Sequence, residues 1–309
     1  MSDALEILEK PKAEEIYMLA GWRQWADAGS VSSGLPQYLI QRTGAHKIGE
    51  IRPGGFYLFQ VPGTHDLVRP VVKFEDGFPV SLQTPVNEIY YAGDERRGIV
   101  FFLGDEPHMD IERYIEAFLE AAQVLGVRRI ISFGGVYGEL PYDKERMVSC
   151  SFSLTTMKAE LEALAVTFSD YHGGASIGSY LCRRAGEREM EYAGFYAFVP
   201  TYDFSNVSSV ANAIRIETDY MAWLGVMQRV NYLLHLDIDL SHLEKKSRQL
   251  IEVIDAKVDE IDEKAPQLGV REYLDRISEE FEETTFNPAE EFWEQELRDI
   301  FEKFDDDET

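Results

Sequence analysis

Residues 97–136 constrain the fold most tightly. "RGIVFFLG" (97–104) is a five-residue apolar run closed by glycine, the pattern of a strand buried on both faces. "DIERYIEAFLEAAQVLG" (110–126) then places Ile111, Tyr114, Ile115, Phe118, Leu119 and Ala122 at i, i+3, i+4 spacing, the apolar stripe of an amphipathic helix. Asp110 is positioned to cap its start and Gly126 to close it. "VRRIISFGGV" (127–136) reads as a second strand. Strand, helix and strand in succession form a βαβ unit, so the sheet must be at least partly parallel with a right-handed crossover.

The flanking sequence extends this pattern. "EIYMLAGW" (15–22) predicts a buried strand, and "GSVSSGLPQYLIQRTG" (29–44) a helix opened by small hydroxyl residues and closed by Gly44. Short strands are predicted at "HKIGEI" (46–51), "GFYLFQV" (55–61), "RPVVKF" (69–74) and "NEIYYAG" (87–93). Helices are predicted at 153–168 and 178–190, and a strand at "FYAFVPTY" (195–202). From about Ser208 a long helical pattern runs to Leu236. Amphipathic helices follow at 241–265, 269–285 and 287–304. The expected organisation is an α/β domain over 1–235 and an acidic helical extension over 236–309.

Charge narrows the function. The chain carries 30 Lys and Arg against 56 Asp and Glu, a formal charge of −26. Residues 237–309 hold 25 of those acids and 9 of the bases. So acidic a surface repels nucleic-acid phosphates and anionic lipid, and neither partner is expected. Cys150 and Cys182 form no metal or redox pattern and read as free buried thiols of a reducing compartment. The N-terminus lacks the features of a secretory signal, and no run approaches the ~18 apolar residues of a membrane span. A cytoplasmic protein is expected, with no cofactor and no metal.

Three stretches are candidate sites. "GWRQWADAGS" (21–30) turns a strand into a helix at the edge where open α/β sheets bind ligands. Trp22, Asp27 and Gly29 are its candidates. It matches neither nucleotide-binding glycine spacing, and Asp27 and Ser30 can instead cap the helix while Trp22 and Trp25 fill space. "FFLGDEPHMD" (101–110) crowds Asp105, Glu106, His108 and Asp110 at a strand end, with Gly104 permitting close approach; it offers acid–base or cation-binding groups, or a polar turn at Pro107. "DYHGGASIGSYL" (170–181) sets Gly173, Gly174 and Ser176 before a helix start, where a phosphate or carboxylate can sit or two elements can pack closely. No G-x-S-x-G elbow and no HExxH pair is present.

Taken in order, these pieces resemble the PAC2 family, the proteasome-assembly-chaperone-like proteins. The family's "GW.DAG.A" corresponds to Gly21, Trp22, Asp27, Ala28 and Gly29, with extra residues after Trp22. Its "RP" matches Arg69-Pro70, and its "G.EP" matches Gly104, Glu106 and Pro107. "FGGVYGELPY" carries the matching Gly134, Gly135 and Pro141. "YHGGASIGSYL" matches at Tyr171, Gly173, Ile177, Gly178 and Leu181, with Gly174 in place of the usual proline. "VPTY" matches at Val199 to Tyr202.

The resemblance implies a three-layer α/β/α sandwich with a mostly parallel or mixed central sheet, similar to purine nucleoside phosphorylases. It also implies a homo-oligomer, for instance a trimer, working in protein assembly with a proteasome-related or other protein partner. The chain ends Asp307-Glu308-Thr309, unlike the hydrophobic-Tyr-any tail through which archaeal relatives dock. Two functions stay open: a non-catalytic assembly scaffold, and an enzyme or binding protein for a nucleoside-like or anionic ligand that uses Asp27, Glu106 and His108.

Overall fold

The computed structural model describes residues 2–60, 69–202 and 214–287. In chain order the elements are β1 (Leu5–Ile7), β2 (Glu15–Arg23), α1 (Gly34–Thr43), β3 (His46–Ile51), β4 (Val71–Glu75), β5 (Phe78–Gln83), β6 (Asn87–Gly93) and β7 (Arg97–Asp105). Then come α2 (Ile111–Val124), β8 (Val127–Gly138), β9 (Val148–Phe152), α3 (Lys158–Glu162), β10 (Thr167–Phe168), α4 (Ile177–Gly186) and β11 (Glu191–Tyr202). The chain continues with β12 (Ile214–Arg215), α5 (Tyr220–Leu234), α6 (Ser241–Lys264) and α7 (Val270–Glu280). The fold is mixed α/β, with helices on both sides of a large sheet and helices at the C-terminal end.

The chain divides into two compact units. The first comprises Met1–Val136, Ser151–Thr155 and Ser169–Tyr196. Its strands lie in the order β1-β3-β6-β7-β2-β8, followed by β11, of which residues 191–196 belong to this unit. β2 sits between β7 and β8 and is parallel to both, as the βαβ pattern requires. Alternation along the strands divides the apolar side chains between two faces. Met18, Ala20, Trp22, Val100 and Phe102 face a core built with Phe118 and Leu119 of α2 and Leu181 of α4. α1 packs against β2, β6 and β7, with Leu35 and Leu39 buried. Gly44 closes α1 in the left-handed conformation at φ 66, as expected of a glycine there. Cys150 and Cys182 are buried and form no disulfide among the described residues.

β4 and β5 form a separate two-stranded antiparallel sheet. Its turn is Asp76-Gly77, with φ values of 48 and 80, the pair of positive angles that a two-residue hairpin loop favours.

The second unit comprises Tyr137–Cys150, Thr156–Phe168 and Ala197–Thr309. Within it β9 pairs with β10 in parallel and β11 with β12 antiparallel. α5 packs on α6, and α6 on α7. Arg146 and Asp219 form a fully buried ion pair at 2.8 Å.

Five sequence expectations are corrected. Residues 55–60 form no strand, because Phe56 O accepts from the N–H groups of His108 and Met109 and Leu58 N–H donates to His108 Nδ1; Val61 lies outside the described residues. Asp110 starts α2 but does not cap it with its side chain; the carboxylate binds Arg113 Nε instead. The helix expected at 153–168 shrinks to a 3-10 turn and α3, and β10 follows. Of the long pattern from Ser208, residues 208–213 lie outside the described residues; from 214 the chain forms β12 and then turns helical at Tyr220, where Asp219 caps α5 through Met221 and Ala222 N–H. Trp25 fills no interior space; it is 61% exposed, against 2% for Trp22. The helix expected at 287–304 falls outside the described residues from 288 onward.

Candidate functional site

The parallel register of β2 and β7 places Trp22 opposite Gly104 and Arg23 opposite Asp105. The loops that leave these strands therefore start side by side at the carboxyl end of the sheet, the edge where α/β folds bind ligands. All three candidate stretches lie in the first unit.

In the first loop Asp27 organises the turn into α1. Its Oδ1 accepts from the N–H groups of Ser32 and Ser33 at 2.9 Å each, and its Oδ2 accepts from Ser33 Oγ at 2.6 Å. Burial raises its pKa in spite of these donors. Gly29 sits at φ 61, where a side chain would strain the turn. Ser30 contributes through its backbone, donating to Asp27 O. Trp22 Nε1 donates to Tyr114 Oη at 2.8 Å, and Tyr114 Oη donates to Asn87 Oδ1 at 3.0 Å. Gly104 stands beside this network, and a Cβ there would come within 2.8 Å of Asn87 Oδ1. Tyr57 Oη completes the network on Asn87 Oδ1 and Asp105 O.

The second loop carries Glu106 toward α4. Glu106 Oε1 accepts from Ile177 N–H at 2.8 Å. Its Oε2 is buried and has no hydrogen-bond partner among the described residues. Burial pushes its pKa up to about 7, against the lowering pull of the Ile177 N–H. A carboxylate does sit at the start of α4, and it is the protein's own. Ser176 caps that helix, its Oγ accepting from Ser179 N–H at 3.2 Å. His108 staples loops: Nδ1 accepts from Leu58 N–H, and Nε2 lies 3.3 Å from Gln24 Oε1. Burial lowers its pKa, so the neutral ring with its proton on Nε2 fits both contacts.

Two spaces adjoin Glu106. A depression of about 390 Å³ lies between Glu106, Asp110 and Glu112 on one side and Ser176, Ile177 and Tyr180 on the other. A hollow of about 10 Å³ lies among Trp22, Glu106, Phe133, Ser176 and Tyr196, roughly the room one water needs. The structure thus brings Trp22, Glu106 and Ser176 together. Asp27, Gly29, Gly104 and His108 hold nearby turns without lining either space, and Gly173 and Gly174 lie on the exposed approach to α4.

Glu112, Tyr180 and Tyr196 were not anticipated. Glu112 and Tyr180 fall in or next to the first turns of α2 and α4, where helix-start residues signal an exposed edge. Glu112 accepts from Tyr180 Oη at 2.6 Å and pairs with Arg184 at 2.6 Å. No histidine lines either space. Among the described residues no group of three or more His, Cys, Asp or Glu is arranged to hold a metal ion. The geometry offers a carboxyl group that changes protonation near neutral pH, without a nucleophile paired to a base.

That carboxyl makes stability depend on pH in a defined direction. The folded-state pKa lies above the usual carboxyl value, so the folded protein holds a proton that the unfolded chain releases. The associated cost is absent below about pH 4.5 and grows as pH rises through about 7. Glu106→Gln keeps an acceptor for Ile177 N–H and carries no charge. It is expected to melt close to the parent at pH 4.5 and to be more stable by about 1–2 kcal/mol at pH 8, allowing for solvent screening of a partly exposed side chain. Melting curves at the two pH values check this; an advantage independent of pH would contradict it.

Comparison with known proteins places this arrangement. The PAC2 family model matches residues 21–258, which spans both candidate loops, α4 and part of α6. No curated protein matches the chain. A proteasome-assembly chaperone homologue of Mycobacterium tuberculosis is similar at a TM-score of 0.66 and 21% identity, over 78% of this chain and 94% of that one. A PAC2 family protein from Streptomyces avermitilis is similar at a TM-score of 0.67 and 21% identity, over 84% and 99%. PbaB of Pyrococcus furiosus, an archaeal proteasome activator, is similar at a TM-score of 0.57 and 18% identity, over 82% and 97%. With the family model covering most of its length, the chain belongs to the PAC2 family.

Proposed function

We propose that this chain is a non-catalytic, homo-oligomeric assembly scaffold of the proteasome-assembly-chaperone kind, with a proteasome-related or other protein as its partner in the cytoplasm. The observation that carries this reading is the family match over residues 21–258. Structural relatives described as a proteasome-assembly chaperone homologue and a proteasome activator support it. The site chemistry agrees. The anion slot at the α4 start is filled by Glu106, and the depression beside it is rimmed by further carboxylates. No helix among the described residues is long and apolar enough to cross a membrane.

The test mixes purified proteasome α and β subunits with and without the chain. The scaffold reading predicts that the chain binds an assembly intermediate in stoichiometric amount and speeds its maturation. No binding and an unchanged rate would contradict it.

The unpartnered Oε2 of Glu106 beside an open depression favours a second reading, a small-molecule site with Glu106 as its acid–base group. Glu106→Gln separates the two: it leaves assembly unchanged under the scaffold reading and abolishes ligand binding under the second.

A further inference from the structure

The segment after α7 is held in the second unit the way a bound peptide is held. Beyond Glu280 the chain turns extended at Phe281, with φ −85 and ψ 120. Residues 282–285 and Asn287 are exposed, and of residues 281–287 only Phe286 is buried, at 4% exposure. Its ring meets Tyr232 of α5 edge-on, with centroids 5.7 Å apart. The guanidinium of Arg229 lies 5.1 Å from the ring centroid, within cation–π range. Phe286 N–H stands 3.3 Å from each carboxylate oxygen of Glu145. Three residues upstream the exchange runs the other way. Glu145 N–H donates to Glu283 Oε1 at 2.9 Å, and Lys144 Nζ pairs with Glu283 Oε2 at 3.7 Å. One apolar anchor in a pocket, with main-chain hydrogen bonds beside it, is how proteins hold extended peptides.

We propose that Lys144, Glu145, Arg229 and Tyr232 form a recognition site for an extended peptide with a carboxylate three residues before a phenylalanine, occupied in this chain by its own Glu283 and Phe286. The pocket is built without the segment. Arg229 is fully buried and donates to the carbonyls of Leu164, Gly225 and Ala165, so its guanidinium is fixed whether or not Phe286 is seated. Arg146 Nη1 donates to Lys144 O at 2.8 Å, which holds the loop that carries Lys144 and Glu145. Charge sets the class of peptide. Arg229 balances Glu145 at 3.2 Å, which leaves Lys144 to select an acid upstream of the ring. Residues 237–309 hold 25 acids and 9 bases, and this segment lays its acid and its ring on two of the unit's cations. A partner that presents the same pattern on an extended stretch competes with residues 283–286 for one site and displaces them.

The proposal is independent of the scaffold reading, because the site uses none of the candidate loops of the first unit. Fluorescence anisotropy tests it with a fluorescein-tagged peptide of residues 281–287, Phe-Glu-Glu-Thr-Thr-Phe-Asn, and the full chain carrying Phe286→Ala. The variant is expected to bind the peptide saturably and at least ~10-fold more tightly than the parent, whose own segment competes at an effective concentration of about a millimolar. Peptides carrying Phe286→Ala or Glu283→Lys are expected to bind the variant at least ~10-fold more weakly. No saturable binding by the variant, equal binding by variant and parent, or equal binding of the altered peptides overturns the proposal. If the variant does not fold, hydrogen exchange of the parent decides. The Phe286 amide must exchange faster when free peptide is added at ~10 mM, above that effective concentration, while the amides of α5 keep their rates. A Phe286 rate indifferent to the peptide overturns the assignment.

Discussion

Asp219→Ala is expected to lower the stability of the second unit by about 3–5 kcal/mol, the cost of leaving one member of a buried ion pair without its partner. Arg146 and Asp219 have no exposed side-chain surface and meet at 2.8 Å. Asp219 also holds the start of α5, accepting from Met221 and Ala222 N–H at 3.0 and 3.1 Å. Arg146 Nη1 gathers the carbonyls of Pro141, Tyr142 and Lys144. Removing Asp219 strands a buried guanidinium and strips a helix cap at once. The double replacement Arg146→Met/Asp219→Ala carries no stranded charge. It should therefore be less damaging than the two single costs added together. Denaturant melts of the single and double variants measure this. A loss below about 1 kcal/mol for Asp219→Ala would mean that the pair does not hold the unit together.

Gly21→Ala and Gly135→Ala are expected to be the most disruptive small substitutions in the first unit. A Cβ on Gly21 would stand 1.7 Å from Ser32 O, and one on Gly135 would stand 2.0 Å from Ala28 O. Both clashes are with backbone, so no side-chain rotation relieves them. Gly135 N–H donates to Ala26 O at 2.7 Å, and Trp22 N–H donates to Ser32 Oγ at 2.9 Å. The turn after β2 is thus pressed onto β2 and β8 by direct backbone approach. Each substitution should cost about 3 kcal/mol, the upper end of overpacking effects. Gly174→Ala meets nothing within 4 Å and should stay within about 0.5 kcal/mol of the parent. Thermal unfolding of the three variants separates these outcomes. Equal melting temperatures would contradict the packing account.

What could be read from sequence follows the range of the forces involved. β7, α2 and β8 were legible because apolar spacing encodes them locally, and α1 because Gly44 marks its end. Glu106 was legible as a candidate, but its partner Ile177 lies 71 residues away. Arg146 and Asp219 are 73 apart, and Trp22 and Tyr114 are 92 apart. No local pattern announces such pairs. Residues 55–60 have the apolar content of a strand, yet their backbone groups are spent on the loop before α2. The short α3 has a related cause. Leu164 and Ala165 turn their carbonyls to buried Arg229, which ends the helix that the spacing predicts. The strand after the Asp76-Gly77 turn is hidden in the sequence by Pro79, a residue that local pattern reads as a strand breaker.

The proposal that this PAC2 chain works through a protein partner is tested by native mass spectrometry of the tagged chain captured from its own organism's lysate. The expected result is a complex with proteasome subunits in stoichiometric ratio, carried by a multimer of the chain. A chain recovered free of protein partners and carrying a small-molecule mass, lost in Glu106→Gln, would contradict it.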